Sequence, residues 1–581
     1  MTIWSTSRLR RAVTAAAAGV SLVVGMAGVA EASPGLPAAP KASTATGVRS
    51  YLVITAPNDT AGAKTAVATN GGTVFSSYDA IGVVVAHSSA SDFATKMRAV
   101  SGVQQVGATR TTDVPAEASN PSIPAAPTQT TPTEAETNRP DMTQIKADQA
   151  WSVTTGSPSV LVGVLDTGVD DQHYDLKPNF DATKSASCAY GKLDTRPGSW
   201  RAEGDHGTHV AGTIAAAKNG KGAIGVAPSV HIASVRIAEV PSGLFFAENT
   251  ICAFVFAADQ GFKITNNSYY SDPWLFACPN NADQAATLEG VKRATAYAEG
   301  KGVLNVVAAG NENYDLANKV TDTTSPNDSS PASRPVNNSC LLMPGELPGV
   351  VTVSSINSQN VKSSFSNFGT GKITVTAPGD SVYSTLPGGR YGNLSGTSMA
   401  TPHVAGVAAL MLSANPDLSV ADLRTRLAAQ ADDLPCADAR CTGTTAKNNF
   451  YGDGRVDAKD AVTPDAAKTF ENTADVPIPD GGAAVDSPIT VTGVPGNAPG
   501  ALKVDVRVVH TYRGDLVIDL VAPDGGTFRL KASSSSDSAD NVIATYTVNA
   551  ATKVANGTWR LRVRDVYRSD SGYIDSWKLT F

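Results

Sequence analysis

The sequence predicts three structural units: a central α/β domain, a small α+β unit before it and an all-β domain after it. Between residues 142 and 462, apolar strand-like runs alternate with helical runs, a pattern typical of a parallel sheet with helices on both faces. Residues 50–112 follow the order β-α-β-β-α-β, which indicates a ferredoxin-like unit. From about residue 470, short strands and hairpin signals such as Asn556-Gly557 predict a jelly roll or sandwich.

Length and composition limit what the chain can be. A single hydrophobic core rarely grows beyond about 300 residues, so a chain of 581 residues should contain more than one domain. Charged residues make up 17% of the chain and the net charge is −7, without a block of like charge. Nucleic-acid binding requires a basic stripe, which this sequence lacks, so no nucleic-acid partner is expected.

The first 32 residues have the composition of a secretory signal. Three arginines, ending at Arg11, precede an apolar stretch over residues 12–29, and Ala30-Glu31-Ala32 fits the small-x-small pattern of a cleavage site. A membrane anchor is the alternative, but the apolar stretch is short and rich in Ala and Gly. We therefore expect a signal peptide over residues 1–32, a secreted, extracellular protein and no membrane attachment after cleavage.

Six cysteines in an exported chain predict three disulfides. Cys436 and Cys441 lie close enough in sequence to close a small loop. The remaining four cysteines allow several pairings, and the combination expected here is Cys188–Cys252 with Cys278–Cys340. The cysteines show no Cys-x-x-Cys spacing, so a zinc site is not expected.

A linker separates the first unit from the central domain. Residues 113–141 are rich in Pro, Thr, Ala and Glu, cannot bury a core and should form an exposed, extended segment. Such segments are preferred sites of proteolytic cleavage. A folded unit over residues 33–112, a cleavable linker and a domain over residues 142–462 form the layout of a zymogen, so a maturation site is expected in the linker.

Three reactive side chains lie where predicted strands end or helices begin. Asp166 ends an apolar strand, and His206 and Ser398 each open an Ala/Gly-rich helix. Singly, each has a structural explanation as a turn former or a helix cap. Together, a carboxylate, an imidazole and a hydroxyl at these places in an α/β chain predict a Ser-His-Asp nucleophilic site.

The three residues lie in the strings D-T-G, H-G-T-H-V-A-G-T and G-T-S-M-A-T-P-H-V-A-G. These strings resemble those of subtilisin-type (S8 family) serine peptidases, which have the same order of Asp, His and Ser. The resemblance covers about residues 142–462 and implies a seven-stranded, mainly parallel sheet and hydrolysis of peptide bonds. It assigns Ser398 as the nucleophile, His206 as the general base and then acid, and Asp166 as the group that orients His206.

The same resemblance implies further site residues. Asn311 takes the place of the family's oxyanion asparagine and would act with the backbone N–H of Ser398. Substrate would bind as an extended strand against two main-chain edges, with Glu312 at the rim of the main specificity pocket. Tyr270 stands where the family commonly has Gly and is expected to reshape the first pockets. The two edges consist of Ser268, Tyr269 and Tyr270, and of Ala308, Ala309 and Gly310.

No cofactor is expected for catalysis, whereas structural calcium is. Asp175 and Asn219 fall where the family binds a structural calcium ion, a site that also uses main-chain carbonyls. The N-terminal Gln ligand of the family's site has no clear match in this chain.

The flanking units are interpreted through the same resemblance. Residues 33–112 resemble the inhibitor-like propeptide of these peptidases, which acts as an intramolecular chaperone and inhibitor. Residues 463–581 resemble a linker followed by the P domain of proprotein convertases. The expected function is that of a secreted, self-processed, monomeric endopeptidase that hydrolyses proteins or peptides through an acyl-enzyme.

Two other functions compete with this expectation. The P domain suggests a convertase-like processing peptidase, but convertases typically show D-D-G and H-G-T-R at these motifs and an acidic cleft, and no acidic cluster is evident here. An inert scaffold that binds through the P domain is opposed by the intact set of Asp166, His206, Ser398 and Asn311. A peptide panel with and without paired basic residues tests the first alternative, and a serine-directed label tests the second.

Overall fold

The computed structural model describes residues 47–136, 139–463, 468–494 and 496–581. The predicted signal peptide lies outside these residues. Within them, an α+β unit, an α/β domain and an all-β domain follow one another, which confirms the predicted fold class. No helix in these ranges is both long and apolar enough to cross a membrane.

The first unit is a four-stranded antiparallel sheet with two helices on one face. Its elements are β1 (Arg49–Thr55), α1 (Ala61–Thr69), β2 (Gly72–Tyr78), β3 (Val83–Ser88), α2 (Phe93–Arg98) and β4 (Val103–Ala108). The strand order is β2-β3-β1-β4. Because side chains alternate between the faces of a strand, Val53 packs beneath the two helices, whereas Leu52 and Ile54 enter the core of the central domain.

The central domain is built on a seven-stranded parallel sheet, and two short antiparallel pairs lie outside it. Its strands are β5 (Leu161–Asp166), β6 (Ala186–Ser187), β7 (His231–Arg236), β8 (Ile264–Asn267), β9 (Leu304–Ala308), β10 (Thr321–Asp322), β11 (Arg334–Pro335), β12 (Val351–Ile356), β13 (Val375–Pro378), β14 (Val382–Leu386) and β15 (Arg390–Leu394). The sheet order is β13-β12-β9-β8-β5-β7-β6, and each neighbouring pair is parallel. The outer pairs are β10 with β11 and β14 with β15.

Helices cover both faces of this sheet. They are α3 (Pro140–Gln144), α4 (Ala147–Ala150), α5 (His206–Ala215), α6 (Ala247–Asp259), α7 (Ala282–Gly300), α8 (Thr397–Ala414), α9 (Val420–Ala429) and α10 (Ala458–Val462). One core joins the sheet to α5 and α8 and contains Val162 and Val164. A second core joins it to α6 and α7 and contains Leu165. The strands are therefore apolar on both faces, as a covered parallel sheet requires.

Three disulfides tie the loops of the central domain. Cys188–Cys252 joins the segment after β6 to α6, Cys278–Cys340 joins the loops after β8 and β11, and Cys436–Cys441 closes a short loop. The expected pairing is confirmed, and no cysteine is free.

The last unit is a sandwich of two antiparallel sheets. Its strands are β16 (Thr469–Asn472), β17 (Val476–Ile478), β18 (Val485–Val491), β19 (Leu502–His510), β20 (Leu516–Val521), β21 (Thr527–Lys531), β22 (Val542–Val548), β23 (Gly557–Asp565) and β24 (Gly572–Thr580). One sheet has the order β16-β24-β19-β22, with β17 also paired to β24, and the other has the order β18-β23-β20-β21. Between them lies a core that includes Trp559, Leu561 and Trp577.

Candidate active site

Asp166 lies at the carboxyl end of β5 and is fully buried. Its Oδ1 accepts hydrogen bonds from the Thr167 backbone N–H and from the His206 ring, both at 2.7 Å. Its Oδ2 is buried and has no hydrogen-bond partner among the described residues. A buried carboxylate is costly unless it is paired, so the negative charge of Asp166 is directed to His206.

His206 opens α5, and its partly buried ring donates Nδ1–H to Asp166. Burial of the ring disfavours the imidazolium, but the charge and the hydrogen bond of Asp166 outweigh this effect, so the pKa of His206 lies above its usual value. The next residue must be small: a Cβ at Gly207 would lie 2.3 Å from the Gly168 carbonyl oxygen. The H-G pair of the motif thus lets the first turn of α5 pack against the end of β5.

Ser398 lies in the first turn of α8 and is 9% exposed. Its hydroxyl donates to the Ser268 carbonyl at 3.1 Å, and the Ser268 hydroxyl donates to the Ser398 carbonyl at 2.9 Å. Leu165 and Asn267 are register partners on neighbouring strands, so Asp166 and Ser268, the residues that follow them, leave the sheet side by side. Two strand ends therefore bring Asp166, which bonds to His206, and Ser268, which bonds to Ser398, to one edge of the sheet.

No hydrogen bond joins Ser398 to His206 in the part of the chain that the structure describes. The Ser398 hydroxyl must turn away from the Ser268 carbonyl before His206 accepts its proton. Such contacts are often long in enzymes without substrate and tighten in the complex.

Two hydrogen-bond donors converge beside Ser398. Asn311 Oδ1 accepts from the Thr397 backbone N–H at 2.8 Å and from its hydroxyl at 2.9 Å, which fixes the orientation of the amide. A Cβ placed on Gly396 would lie 3.5 Å from Asn311 Nδ2 and 3.6 Å from the Ser398 nitrogen. Both donors therefore border one small space, the arrangement needed to stabilise an oxyanion.

Glu312 supports this arrangement through the main chain. Its Oε2 accepts from the Asn311 backbone N–H and from Asn367 Nδ2, both at 2.9 Å. Burial raises the pKa of Glu312, although these two donors oppose the rise. The Glu312 carboxylate is thus bonded to the main chain of Asn311, and its place at the rim of a specificity pocket stays a prediction.

The two predicted substrate edges differ in their hydrogen bonding. Within the described residues, the main-chain N–H groups of Tyr269 and Tyr270 have no acceptor, so this edge is open to an added strand. Ala309 and Gly310 donate to Val353 and Thr397 and have their carbonyls occupied by Asn367. Among the described hydrogen bonds of the two edges, the free N–H donors are thus those of Tyr269 and Tyr270.

The Tyr270 side chain packs against a cluster built around the Cys278–Cys340 disulfide. Its hydroxyl accepts from Asn327 Nδ2 at 3.0 Å. The Tyr270 ring is thus part of the apolar cluster between the two loops that this disulfide joins.

The predicted calcium ligands Asp175 and Asn219 are neighbours. Asn219 Nδ2 donates to Asp175 Oδ1 at 3.0 Å, and Tyr391 and the Ala223 backbone N–H donate to Oδ2. A rotation of the Asn219 side-chain amide by half a turn would direct its oxygen, rather than its nitrogen, towards an ion bound by Asp175. The described residues contain no cluster of three or more His, Cys, Asp or Glu side chains suited to a metal, so a site here would also need main-chain carbonyls.

The charges around Asp175 fit a cation. Glu136, in the linker, has one buried oxygen without a hydrogen-bond partner. Burial and the nearby charge of Asp175 raise its pKa, although its bond to Gly220 opposes the rise. Neither carboxylate takes part in a salt bridge between described residues, although the charge of Lys218 also opposes the rise in the pKa of Glu136.

Two buried acidic residues, one after β7 and one at the start of α6, are not predicted from the sequence. Glu239 follows β7 and Glu248 lies in the first turn of α6. Both are buried together with Arg110, which follows β4 of the first unit. The only signal in the sequence was the placement of each glutamate inside an apolar run.

The described part of the linker makes no hydrogen bond with the open Ser268–Tyr270 edge. Thr111 and Thr112 donate main-chain N–H groups to Asp328, and the chain then returns to pair Val114 with Val48. Further along, it follows the surface of the central domain: the Arg196 side chain donates to the carbonyl of Pro121, Gln129 donates to Asp170, and the main chain of Thr130 donates to Gly388.

Comparisons with known proteins bear on both large domains. The model of the Subtilase family (Peptidase S8) matches residues 157–454, and that of the Proprotein convertase P-domain matches residues 499–581. Subtilisin of Bacillus pumilus is 33% identical over 322 residues, which cover 55% of this chain and 97% of that protein.

Two other relatives are more similar over shorter segments. Leupeptin-inactivating enzyme 1 of Streptomyces exfoliatus is 64% identical over 115 residues, 20% of this chain and 26% of that protein. Transglutaminase-activating metalloprotease of Streptomyces mobaraensis is 62% identical over 119 residues, 20% of this chain and 16% of that protein. The chain therefore spans about a quarter or less of these two relatives.

Proposed function

The chain belongs to the subtilase family (peptidase family S8), and from this premise we propose that it is a secreted serine endopeptidase made as a self-processed zymogen. The observation that carries the proposal is the 2.7 Å hydrogen bond between His206 Nδ1 and Asp166 Oδ1. It is joined by the two donors, Asn311 Nδ2 and the Ser398 N–H, that border one space beside the Ser398 residue.

In this mechanism, Ser398 Oγ attacks the carbonyl carbon of a peptide bond while His206 Nε2 takes the hydroxyl proton. The tetrahedral intermediate places its oxyanion against Asn311 Nδ2 and the Ser398 N–H. His206 then protonates the leaving amine, and water hydrolyses the acyl-enzyme with His206 again as base. Asp166 holds the imidazole in the required tautomer and stabilises its cation. No cofactor takes part in these steps.

The first unit acts as propeptide, chaperone and inhibitor. This proposal is supported by its contacts with the central domain: Leu52 and Ile54 share a core with α6 and α7, and the Ala108 N–H donates to Asp283 at the start of α7 at 2.9 Å. Maturation cleaves the linker between residues 113 and 141. The mature enzyme is a monomer in the extracellular medium and takes protein or peptide substrates.

Calcium has a structural role in this proposal. Asp175 and Asn219 would supply side-chain oxygens, and the buried, unpartnered oxygen of Glu136 near the charge of Asp175 supports a cation there. The ion would hold the loop after β5 to the loop after α5.

The proposal is tested by comparing secreted wild type with Ser398→Ala. Intact mass and N-terminal sequencing report maturation, and casein digestion reports activity. We expect wild type to lose its propeptide and digest casein, whereas the variant keeps its propeptide and is inert. If both are trimmed alike, another peptidase performs maturation. If folded, propeptide-free wild type digests neither casein nor a broad peptide panel, the proposed activity is wrong and a binding role replaces it.

A further inference from the structure

The Arg110 guanidinium is bound in a buried acidic slot of the central domain. Its Nη1 and Nη2 donate to the two oxygens of Glu239 at 2.9 and 2.7 Å, and Nη2 also donates to Glu248 Oε1 at 2.6 Å. The guanidinium carbon lies 3.8 Å from the centre of the Phe246 ring. All three charged side chains are at most 2% exposed.

This geometry selects a guanidinium. The bidentate hydrogen bonds to Glu239 require the two parallel N–H groups of a planar guanidinium. The face of the Phe246 ring attracts the same group through a cation–π interaction. An ammonium group would make these contacts only as a point charge. We call the set of Glu239, Glu248 and Phe246 the acidic slot.

The acidic slot and its occupant belong to different parts of the chain. Glu239, Phe246 and Glu248 lie between β7 and the first turn of α6, in the central domain, whereas Arg110 lies two residues beyond β4 in the first unit. The removal of the first unit, which the proposed function requires, would therefore take the cation away and leave both carboxylates behind.

Nothing else among the described residues neutralises the slot. Arg110 is the salt-bridge partner of both glutamates. The other donors are neutral: Asn249 Nδ2 to Glu239 Oε1 at 3.1 Å and the Thr109 hydroxyl to Glu248 Oε1 at 2.9 Å. Glu248 Oε2 is buried without a partner. Removing one partner of an ion pair leaves the charge of the other uncompensated, so a cation that replaced Arg110 would regain these bonds.

We propose that in the mature enzyme the acidic slot is a subsite for an arginine side chain of a protein substrate, on the N-terminal side of the scissile bond. The position relative to the scissile bond is inferred from the course of the chain after Arg110. The Thr111 N–H donates to Asp328, and the neighbouring Asn327 donates to the Tyr270 hydroxyl. The two residues after the slot thus lie on the side of the open Tyr269–Tyr270 edge, before the linker turns back to Val48. The inference rests on the proposed function and adds a preference for basic residues to it.

The test uses the prosegment-free protein after reaction with a serine-directed phosphonate, so that bound peptide is not cleaved. The probes are the heptapeptide Ala-Thr-Arg-Thr-Thr-Asp-Val, which corresponds to residues 108–114, and the same peptide with citrulline in place of arginine. Citrulline keeps the shape and loses the charge. Fluorescence anisotropy should give about 30-fold or tighter binding of the arginine peptide.

Variants connect this difference to the slot. Glu239→Gln with Glu248→Gln should abolish the preference for arginine, whereas the matched control Glu471→Gln, on exposed β16 of the last unit, should retain it. The comparison of the two peptides on the unmutated protein does not depend on the folding of the double variant. Equal affinity for the two peptides, measured on protein whose mass shows that the first unit and its Arg110 are gone, overturns the slot.

The proposed activity is scored separately in the same preparation. Phosphonate incorporation at Ser398 and casein digestion before labelling report the peptidase. An active, labelled enzyme without arginine preference refutes the slot alone. A protein that neither reacts with the phosphonate nor digests casein refutes the proposed function, and the anisotropy comparison still decides whether the slot binds arginine.

Discussion

At the scale of single residues, the pKa of His206 is determined by its neighbour Asp166 more than by the burial of its own ring. Burial of the ring favours the neutral form, and the carboxylate of Asp166 reverses that preference. A general base acts in its neutral form. Activity should therefore be present above the raised pKa of His206 and be lost as the pH falls through it.

This reasoning predicts the effect of Asp166→Asn. Removal of the carboxylate leaves burial as the dominant influence and lowers the pKa of His206, so the acid limb of kcat/KM should move to lower pH. The rate should also fall by about 10⁴-fold, because the imidazole loses its tautomer and its stabilised cation. A pH–rate profile of the mature enzyme measures both effects. The exposed control Asp259→Asn should follow wild type; an unmoved acid limb in Asp166→Asn would contradict the assigned role of Asp166.

At the scale of elements, the helix that carries Ser398 has no side-chain cap at its N-terminus, a feature it shares with α5 and α6 but not with α7, α9 and α10. The side chains of Asn281, Ser419 and Asp457 cap α7, α9 and α10. Helix α8 begins at Thr397, and its N-cap residue, Gly396, has no side chain to serve as a cap. The first-turn N–H groups of a helix have no partner within the helix, so α8 keeps the Ser398 N–H available for an oxyanion.

The loops after β5 and α5 give a prediction about metal removal. If calcium binds at Asp175 and Asn219, EDTA should lower the Tm of the mature enzyme by roughly 5–10 °C, the effect expected for a ligand at about 100 times its Kd. Excess calcium should restore the Tm, and Asn219→Ala should lose most of the shift. The exposed P-domain control Asn549→Ala should keep it. A Tm unaffected by EDTA in wild type would mean that the protein donors around Asp175 are sufficient.

At the scale of the whole molecule, the two flanking units relate differently to the central domain. One face of the first unit contributes Leu52, Ile54, Val83 and Val85 to a core that also contains residues of α6 and α7. The core of the last unit consists of residues from 478 onward. The first unit therefore shares stability with the central domain, and the last unit has a core of its own.

This difference predicts separate unfolding of the last unit. Leu561 is fully buried in β23, and Leu561→Ala should cost about 2–5 kcal/mol. In calorimetry of the full chain carrying Ser398→Ala, the substitution should lower the temperature of one transition and leave the other in place. The matched central-domain variant Leu410→Ala, in α8, should have the reverse effect. A single transition that moves with either variant would mean that the domains unfold as one unit.

Much of the architecture is determined locally. The α/β alternation, the β-α-β-β-α-β order and the late hairpins appear in the sequence because side-chain periodicity and turn chemistry act over a few residues. Asp166, His206 and Ser398 are predictable for the same reason: each lies in a contiguous string at a strand end or helix start. The Asp166–His206 hydrogen bond agrees with that expectation.

The sequence alone determined the three units, their order and the residues able to form a Ser-His-Asp site. Only the tertiary structure decided which charges are buried together. Arg110 meets Glu239 and Glu248 across 129 and 138 residues of chain, and the expected Cys188–Cys252 pair became definite only when its Cα atoms came within 5.6 Å. The physical reason is that the cost of a buried charge depends on partners brought in by the fold, and no local pattern records them.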